Sequence, residues 1–421
     1  MNNPEANIVD ANMAPEGLGR IAWAREFMPA LADAQREVAE SGLLQGRRVG
    51  IILTLEPKTA CLALALAEAG ADVSVFCSAT HVTDSVAAAL VSHGVAVYAR
   101  SDADAEFDEV LLNRFIDEHI EILIDDGAGG TRYIHTRRLD ALPFLKGVAE
   151  ETTSGVRPLR VMESEGALTV PAIAVNDARA KQLFDNVYGT GQAVVMTLID
   201  VTNTQLQGKE VVVVGYGWVG SGIARCAHAL GARVTVTEID SIRALQAIHD
   251  GYDVARLETV CPTGDVFITA TGIGYSLTGD HMRLMKDGAI VSVGGAGPPE
   301  VDLGGLNPVE RGEFARAEIR TIPVGDDRSV FLIADGECSN VSAAEGNSIE
   351  IMDLSLAVQM RAVQYLAANQ KTLTNGVHPV PPEIDDSVAR SLLAAIGAEL
   401  DEPSPAQERH AASWQFTAET T

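Results

Sequence analysis

Long apolar runs are absent: no stretch reaches the roughly 18 residues a membrane-spanning helix requires, so a membrane partner is not expected. Cysteine is sparse, with five residues (Cys61, Cys77, Cys226, Cys261, Cys338) scattered and no C-x-x-C pair. An odd number at such spacings argues against a disulfide framework and against a zinc site, so no metal is expected. Basic residues are outnumbered, 31 Lys and Arg against 58 Asp and Glu, for a net charge of −27. That balance repels phosphate backbones and makes nucleic acid a poor partner. The opening MNNPEANIVDANMAPEG has neither a basic start nor a continuous apolar core, which is unlike a secretory signal. A cytoplasmic location is expected.

What is present is the composition of an ordinary globular protein, 47% hydrophobic and 21% charged over 421 residues, a length that suits two domains. After a polar segment to about Gly19, apolar residues at helical spacing predict one amphipathic helix over 21–40. Strand-like runs at 48–54, 72–77, 95–100, 120–125 and 170–175 alternate with helical patterns at 59–69, 83–93 and 106–118. Alternation of this kind predicts βαβ units and a parallel sheet covered on both faces. A second series holds strands at 209–214, 233–237, 266–269 and 289–293. A helix over 348–370, a Pro-rich connector at 378–382 and a last helix around 386–397 follow. The expected fold class is α/β: two doubly wound parallel-sheet domains, one of Rossmann type, plus a C-terminal helical segment. The expected division is 1–184 completed by 348–400, then 185–347, with a polar tail at 401–421.

The strongest local signal is VVVVGYGWVG. Four valines make a buried strand, and Gly215, Gly217 and Gly220 supply G-x-G-x-x-G. The first glycine permits a tight turn, the second lets backbone approach a pyrophosphate, and the third lets helix pack on strand. Trp218 and Val219 lie between them, and the pyrophosphate is expected at the N-terminus of a helix over 220–230. The next strand, RVTVT, ends on Glu238, 21 residues past Gly217, where a carboxylate holds adenosine ribose hydroxyls. Glu238 favours NAD over NADP because it repels a 2′-phosphate. Arg243 nearby would soften that preference, or is simply solvated.

Several longer blocks carry a more specific likeness: IDDG (124–127), EETTSGV (150–156), VPAIAVND…KQLFDNVYG (170–189), TEIDSIRALQA (237–247), ITATG (268–272) and MKDGAIV (285–291). With the glycine loop and in this order, they make the chain resemble the S-adenosylhomocysteine hydrolases from about Gly17 to Leu400. The resemblance implies tightly held NAD that oxidises a nucleoside 3′-hydroxyl, acidifies the C4′ proton and permits loss of the 5′ substituent. Water then adds to the alkene and the hydride returns. It also implies a homo-oligomer, dimer or tetramer, acting on a small nucleoside.

Lys181 and Asp185 are four apart and share a helix face, a pattern that is usually a surface ion pair. Beside NAD, Lys181 is expected to be a desolvated amine of lowered pKa that takes the 3′-hydroxyl proton. By resemblance, Asp185 and Asn186 sit at the ribose–nicotinamide junction and Glu151 accepts from the ribose 2′-hydroxyl. Thr152, Thr153 and Ser154 contact NAD or ribose, and Thr271 and Asn340 touch the nicotinamide end. Asp126 ends its strand, where open sheets place ligands, or else caps a helix.

The departures from the family pattern lie at both ends of the substrate. Thr54 stands where the family has histidine, and Glu56 and Lys58 stand where threonine and glutamate hold adenine. Thr190 replaces a cysteine, Ala296 a histidine and Gly129 an aspartate, while Glu345 and Asn347 replace the methionine and histidine of A-M-G-H-P. The family's K-P-D-H-Y-R-Y arm is replaced by SWQFTAETT. A retained redox centre with rebuilt ends points to a smaller leaving group, water. The expected activity is then a nucleoside 4′,5′-dehydratase, as on the way to unsaturated nucleosides such as angustmycin. Hydrolysis of S-adenosylhomocysteine or a base-modified analogue is the second reading, and a silent NAD-binding regulatory partner the third.

Overall fold

The computed structural model describes residues 7–295, 299–309 and 318–414. Two seven-stranded sheets organise them. The first runs, edge to edge, Gly376–Pro379, Pro171–Ala174, Gly147–Glu150, Ile122–Asp125, Arg48–Ile52, Asp72–Phe76 and Ala96–Tyr98, with every pair parallel. Its central strands are apolar on both faces because helices cover both, and Val49, Ile51, Ile122 and Ile124 are all fully buried. Chain order reverses between Arg48–Ile52 and Ile122–Asp125, so the loops leaving these strands diverge and open a crevice at their carboxyl ends. Thr54 and Asp126 follow those two strands.

The second sheet runs Ile319–Gly325, Arg328–Ile333, Ile290–Val293, Val266–Thr269, Glu210–Val214, Arg233–Thr237 and Asp253–Val254. Only the first pair is antiparallel. The same reversal falls between Glu210–Val214 and Val266–Thr269, with Gly215 and Thr271 just beyond. The chain passes to this sheet through Lys181–Thr190 and Gly191–Thr202. It returns through Ser339–Ser342 and the 21-residue helix Ile349–Asn369.

The helix predicted over 21–40 is instead two, Ala14–Arg25 and Pro29–Ser41. Pro29 cannot donate to a preceding turn, so it starts a helix rather than continuing one. The new N-terminus is capped from far away: Asp353 accepts from Ala30 N at 2.9 Å and Leu31 N at 2.7 Å. Periodicity alone cannot see such a partner. The strand Gly147–Glu150 and the hairpin Ile319–Gly325/Arg328–Ile333 were not anticipated, and the Pro-rich connector overlaps the edge strand Gly376–Pro379. At an edge, proline's missing N–H costs nothing to the ladder. The polar tail holds an exposed helix, Pro405–Ala411. No helix among the described residues is long and apolar enough to cross a membrane.

Candidate active site

One cavity of about 1140 Å³ lies between the two crevices and takes its walls from both. It gathers every candidate site residue named above within the described segments except Gly220 and Gly129; Ala296 lies outside the described residues.

At the second sheet's end, Gly215 adopts φ +98°, the left-handed region that favours glycine. A Cβ on Gly220 would stand 2.0 Å from the Gly215 carbonyl oxygen, so Gly220 packs helix on strand rather than facing ligand. The helix begins at Trp218, two residues before its predicted start, with Gly217 as its N-cap. Gly217, Trp218 and Val219 therefore present the helix N-terminus to the cavity. The Glu238 carboxylate accepts from Tyr216 N at 2.6 Å, Ile239 N at 2.7 Å and Asp240 N at 2.9 Å, which fixes it at the cavity wall. Arg243 is exposed but borders the cavity, its guanidinium 3.5 Å from where a Gly217 Cβ would be. Thr271 donates from both N and Oγ1 to Glu300 at 2.9 Å, and Gly272 N donates to the same carboxylate at 2.7 Å. Glu300 is buried and was missed, because an isolated glutamate in sequence gives no hint of the loop it ties down. A side-chain-free cradle, a helix N-terminus and a carboxylate beyond the next strand together fit a dinucleotide.

The segment Lys181–Thr190 is a π-helix. Bonding i→i+5 widens the turn, so Lys181, Asp185 and Asn186 all turn inward and all are buried. Lys181 Nζ lies 2.9 Å from Asp185 Oδ2 and 3.4 Å from Glu151 Oε1, and it donates to Asn186 Oδ1 at 3.2 Å. Burial by itself lowers an amine's pKa, but here the carboxylates of Asp185 and Glu151 outweigh it and hold Lys181 above its usual value. The expected lowered pKa is thus corrected: the two carboxylates raise it. Asp185 is saturated, since Oδ1 accepts from Asn347 Nδ2 at 2.7 Å and Oδ2 from Ser355 Oγ at 2.6 Å. Asn347 also donates to Thr190 Oγ1 at 3.0 Å and accepts from Asn340 at 3.1 Å. Asn186 in turn donates to Asn176, which holds Thr153 as well. Ser355 and Asn176 carried no signal of their own, although Asn176 lies within the block 170–189.

Asp125 and Glu150 face each other on neighbouring strands, and both are fully buried. Asp125 accepts from Gly130 N and Thr131 N; Glu150 accepts from Gly127 N, Ala128 N and Thr152 N. Asp125, not Asp126, serves the helix Gly129–Arg137, whose N-cap is Ala128. These bonds set the turn that presents Asp126 to the cavity beside Thr152 and Ser154. Burial raises the Asp126 carboxyl above the ordinary range.

At the far end of the first sheet's side, Glu56 caps Pro57–Glu68 through Lys58 N and Thr59 N. Lys58 Nζ pairs with Glu56 at 2.6 Å and donates to the Glu345 carbonyl at 2.8 Å. Glu345 is held from the other side by Arg20.

Two parallel sheets whose switch points face one cavity define a dinucleotide-binding α/β protein. The model for the "S-adenosyl-L-homocysteine hydrolase, NAD binding domain" matches residues 186–346, and that for "S-adenosyl-L-homocysteine hydrolase" matches 5–143. The chain is 42% identical to the S-inosyl-L-homocysteine hydrolase of Methanopyrus kandleri over 98% of both chains. It is also 42% identical to the adenosylhomocysteinase of Archaeoglobus fulgidus, over 95% of this chain and 99% of that one. A third relative, the adenosylhomocysteinase of Thermotoga maritima, is 41% identical over 94% of this chain and 98% of its own. The chain belongs to the S-adenosyl-L-homocysteine hydrolase family, and NAD is its cofactor.

Proposed function

We propose that this protein acts on a purine nucleoside by transient 3′-oxidation, removal of the C4′ proton and loss of a small 5′ substituent, water, leaving a 4′,5′-unsaturated nucleoside. Bound NAD supplies the redox chemistry, taking a hydride from C3′ and returning it after the 5′ group has left. In this reading residues 1–184 and 348–400 hold the nucleoside and 185–347 hold the cofactor. The protein works in the cytoplasm as a homodimer or homotetramer. Lys181 sets a positive charge beside the ribose oxygens, where negative charge develops as the hydroxyl proton leaves. Asp185 and Asn186 orient that ammonium. Asp126, a half-buried carboxyl, moves a proton at the C5′ side.

The observation that carries this reading is a shortage of free cations. Among the described residues lining the cavity from the first sheet's side, the cations are Lys58 and Lys181, and each is already paired with carboxylates. A zwitterionic amino acid as leaving group needs a cation for its own carboxylate; water needs none. Lys58 also bears on the base. An ammonium has three donors and no acceptor, and two of its donors go to Glu56 and Glu345. The third suits a 6-oxo group better than an exocyclic amine.

A second reading, release of homocysteine from an S-nucleosyl conjugate, is favoured by the names of relatives 42% identical over nearly the full chain. Purified protein in deuterated water, given inosine, adenosine and the two S-nucleosylhomocysteines in turn, separates the readings. An unsaturated nucleoside from a 5′-hydroxyl substrate is the expected result. Rapid thiol release from a homocysteine conjugate overturns it. No exchange at C4′ with any substrate would leave a silent NAD-binding partner as the role.

A further inference from the structure

We infer that Asp385 is a positioning residue for the ribose end of the cavity: its carboxylate fixes the start of the helical run that carries Lys181, Asp185 and Asn186. This rests on the 3′-oxidation reading above and concerns how those side chains are held. The run opens at Arg179, immediately before the π-helix Lys181–Thr190. The first N–H groups of a helix have no partner within it, and a side chain just before the helix ordinarily supplies one. Here the preceding residue is Ala178, extended at φ −62° and ψ 142°, whose methyl group accepts nothing. Asp385 supplies the acceptors from more than 200 residues away in sequence. Its Oδ2 accepts from Arg179 N at 2.7 Å and its Oδ1 from Ala180 N at 2.9 Å.

The start matters because i→i+5 bonding is a rare arrangement, and here it runs over ten residues. Its far end is wedged by packing. A Cβ on Gly189 would stand 2.8 Å from Asn347 Nδ2, and one on Gly191 would stand 2.6 Å from the Gly222 backbone. Its middle is tied through Asp185, which Asn347 and Ser355 hold. Its start is tied to Asp385, and Lys181 follows Ala180 directly. Without those two bonds the first turn is free to fray or to rewind to i→i+4 spacing. Either change rotates Lys181 away from Glu151, Asp185 and Asn186.

Asp385 does not line the cavity and acts through backbone alone. It sits in the first turn of the helix Pro382–Ala395, which is anchored by the buried Ile384 and Val388. Its carboxylate therefore faces two helix starts, its own and that of 179–190, and both favour negative charge. The same device occurs at Pro29–Ser41, where Asp353 accepts from Ala30 N and Leu31 N at 2.9 and 2.7 Å. The two carboxylates share the chemistry of capping and differ in the helix they cap. Asp353 is thus an internal control, because its helix carries none of the ribose-end side chains.

The test compares NAD-loaded Asp385→Ala, Asp385→Asn and Asp353→Ala with wild type. Both alanine variants should melt lower, by on the order of 2 °C. Asp353→Ala should lose at least as much, because Asp353 is fully buried. Single-turnover nicotinamide reduction with a 5′-blocked nucleoside should rank them the other way. Asp385→Ala should reduce about 10²-fold more slowly, the scale of a misplacement of ~1 Å, with the loss in rate rather than in nucleoside affinity. Asp353→Ala should reduce at the wild-type rate. Asp385→Asn keeps one acceptor oxygen and should recover part of the loss. Amide hydrogen exchange over 179–186, read without substrate, should be faster in Asp385→Ala than in wild type or Asp353→Ala. Reduction at wild-type rate in Asp385→Ala, or equal losses of rate in the two alanine variants, overturns the positioning role. If Asp385→Ala does not fold, Asp385→Asn carries the same comparison. Failure of wild type to reduce nicotinamide with any nucleoside overturns the 3′-oxidation reading alone. Hydrogen exchange then decides, and unchanged protection over 179–186 overturns the role of Asp385.

Discussion

The two sheets share the order of their first five strands and the switch point within it, and differ at the far edge, yet they announce their chemistry differently. Around the second, the binding features are contiguous: a valine strand, three glycines, a helix start, and a carboxylate after the next strand. They act largely through backbone, where the absence of a Cβ at Gly215, Gly217 and Gly220 is itself the feature. Around the first, the features are side chains delivered by distant segments. Asp126 follows one strand and Glu151 the next; Lys181 and Asp185 come from a π-helix, and Asn347 and Ser355 from the returning chain. A backbone site is written locally, whereas a side-chain network is written in the fold.

That contrast can be broken from either side. The largest effect is expected at the network. Asp185→Ala removes the acceptor shared by Lys181, Asn347 and Ser355 inside the protein. Breaking a buried ion pair costs on the order of 3 kcal/mol, so denaturant melts should show a loss of that size along with failure of nicotinamide reduction. The glycine loop comes next. Gly220→Val forces a side chain against the Gly215 carbonyl, since even a Cβ would lie 2.0 Å away. Overpacking of this kind costs ~1–3 kcal/mol, and the purified variant should carry no NAD when its denatured supernatant is chromatographed. A variant that kept stoichiometric NAD would refute the backbone account.

Smaller effects sharpen the picture away from the site. Asp353→Ala leaves the Pro29–Ser41 helix without its cap, at a cost of ~1 kcal/mol, measurable as a lowered melting temperature. Asp353→Asn tests the charge instead. Burial raises Asp353 to about 6 in the fold, above the ~3.9 of an unfolded aspartate. The folded state therefore binds more protons, and the wild-type advantage is lost as pH rises from ~4 to about 6. The asparagine variant should gain relative stability over that interval. Trp414, 90% exposed near the end of the described chain, should change neither melting nor activity when replaced by alanine.

Most strands and covering helices were legible because burial on both faces of a parallel sheet demands continuous apolar runs. The misses have physical causes. Gly147–Glu150 is short and ends on a charge, yet it is central because Glu150 satisfies the backbone of the following turn. The split at Pro29 needed Asp353, more than 300 residues away in sequence. In the site, Lys181 and Asp185 were recognisable as a pair, but the direction of the Lys181 shift was not. It depends on Asp185 and Glu151 together outweighing burial, and only folding brings Glu151 within 3.4 Å.

By itself, the sequence determined that two βαβ series exist, that a glycine loop opens a helix after a valine strand, and that a carboxylate follows the next strand. These are short-range facts, governed by periodicity and by the conformations that Cβ-free residues allow. Only the tertiary structure decided that both switch points open on one cavity, that a π-helix turns three polar side chains inward together, and that carboxylates hold Lys181 above its usual pKa. It also decided that Glu151 is buried beside Lys181. Desolvation and ion pairing depend on which groups meet inside the protein, and nothing in the linear order of residues specifies that meeting.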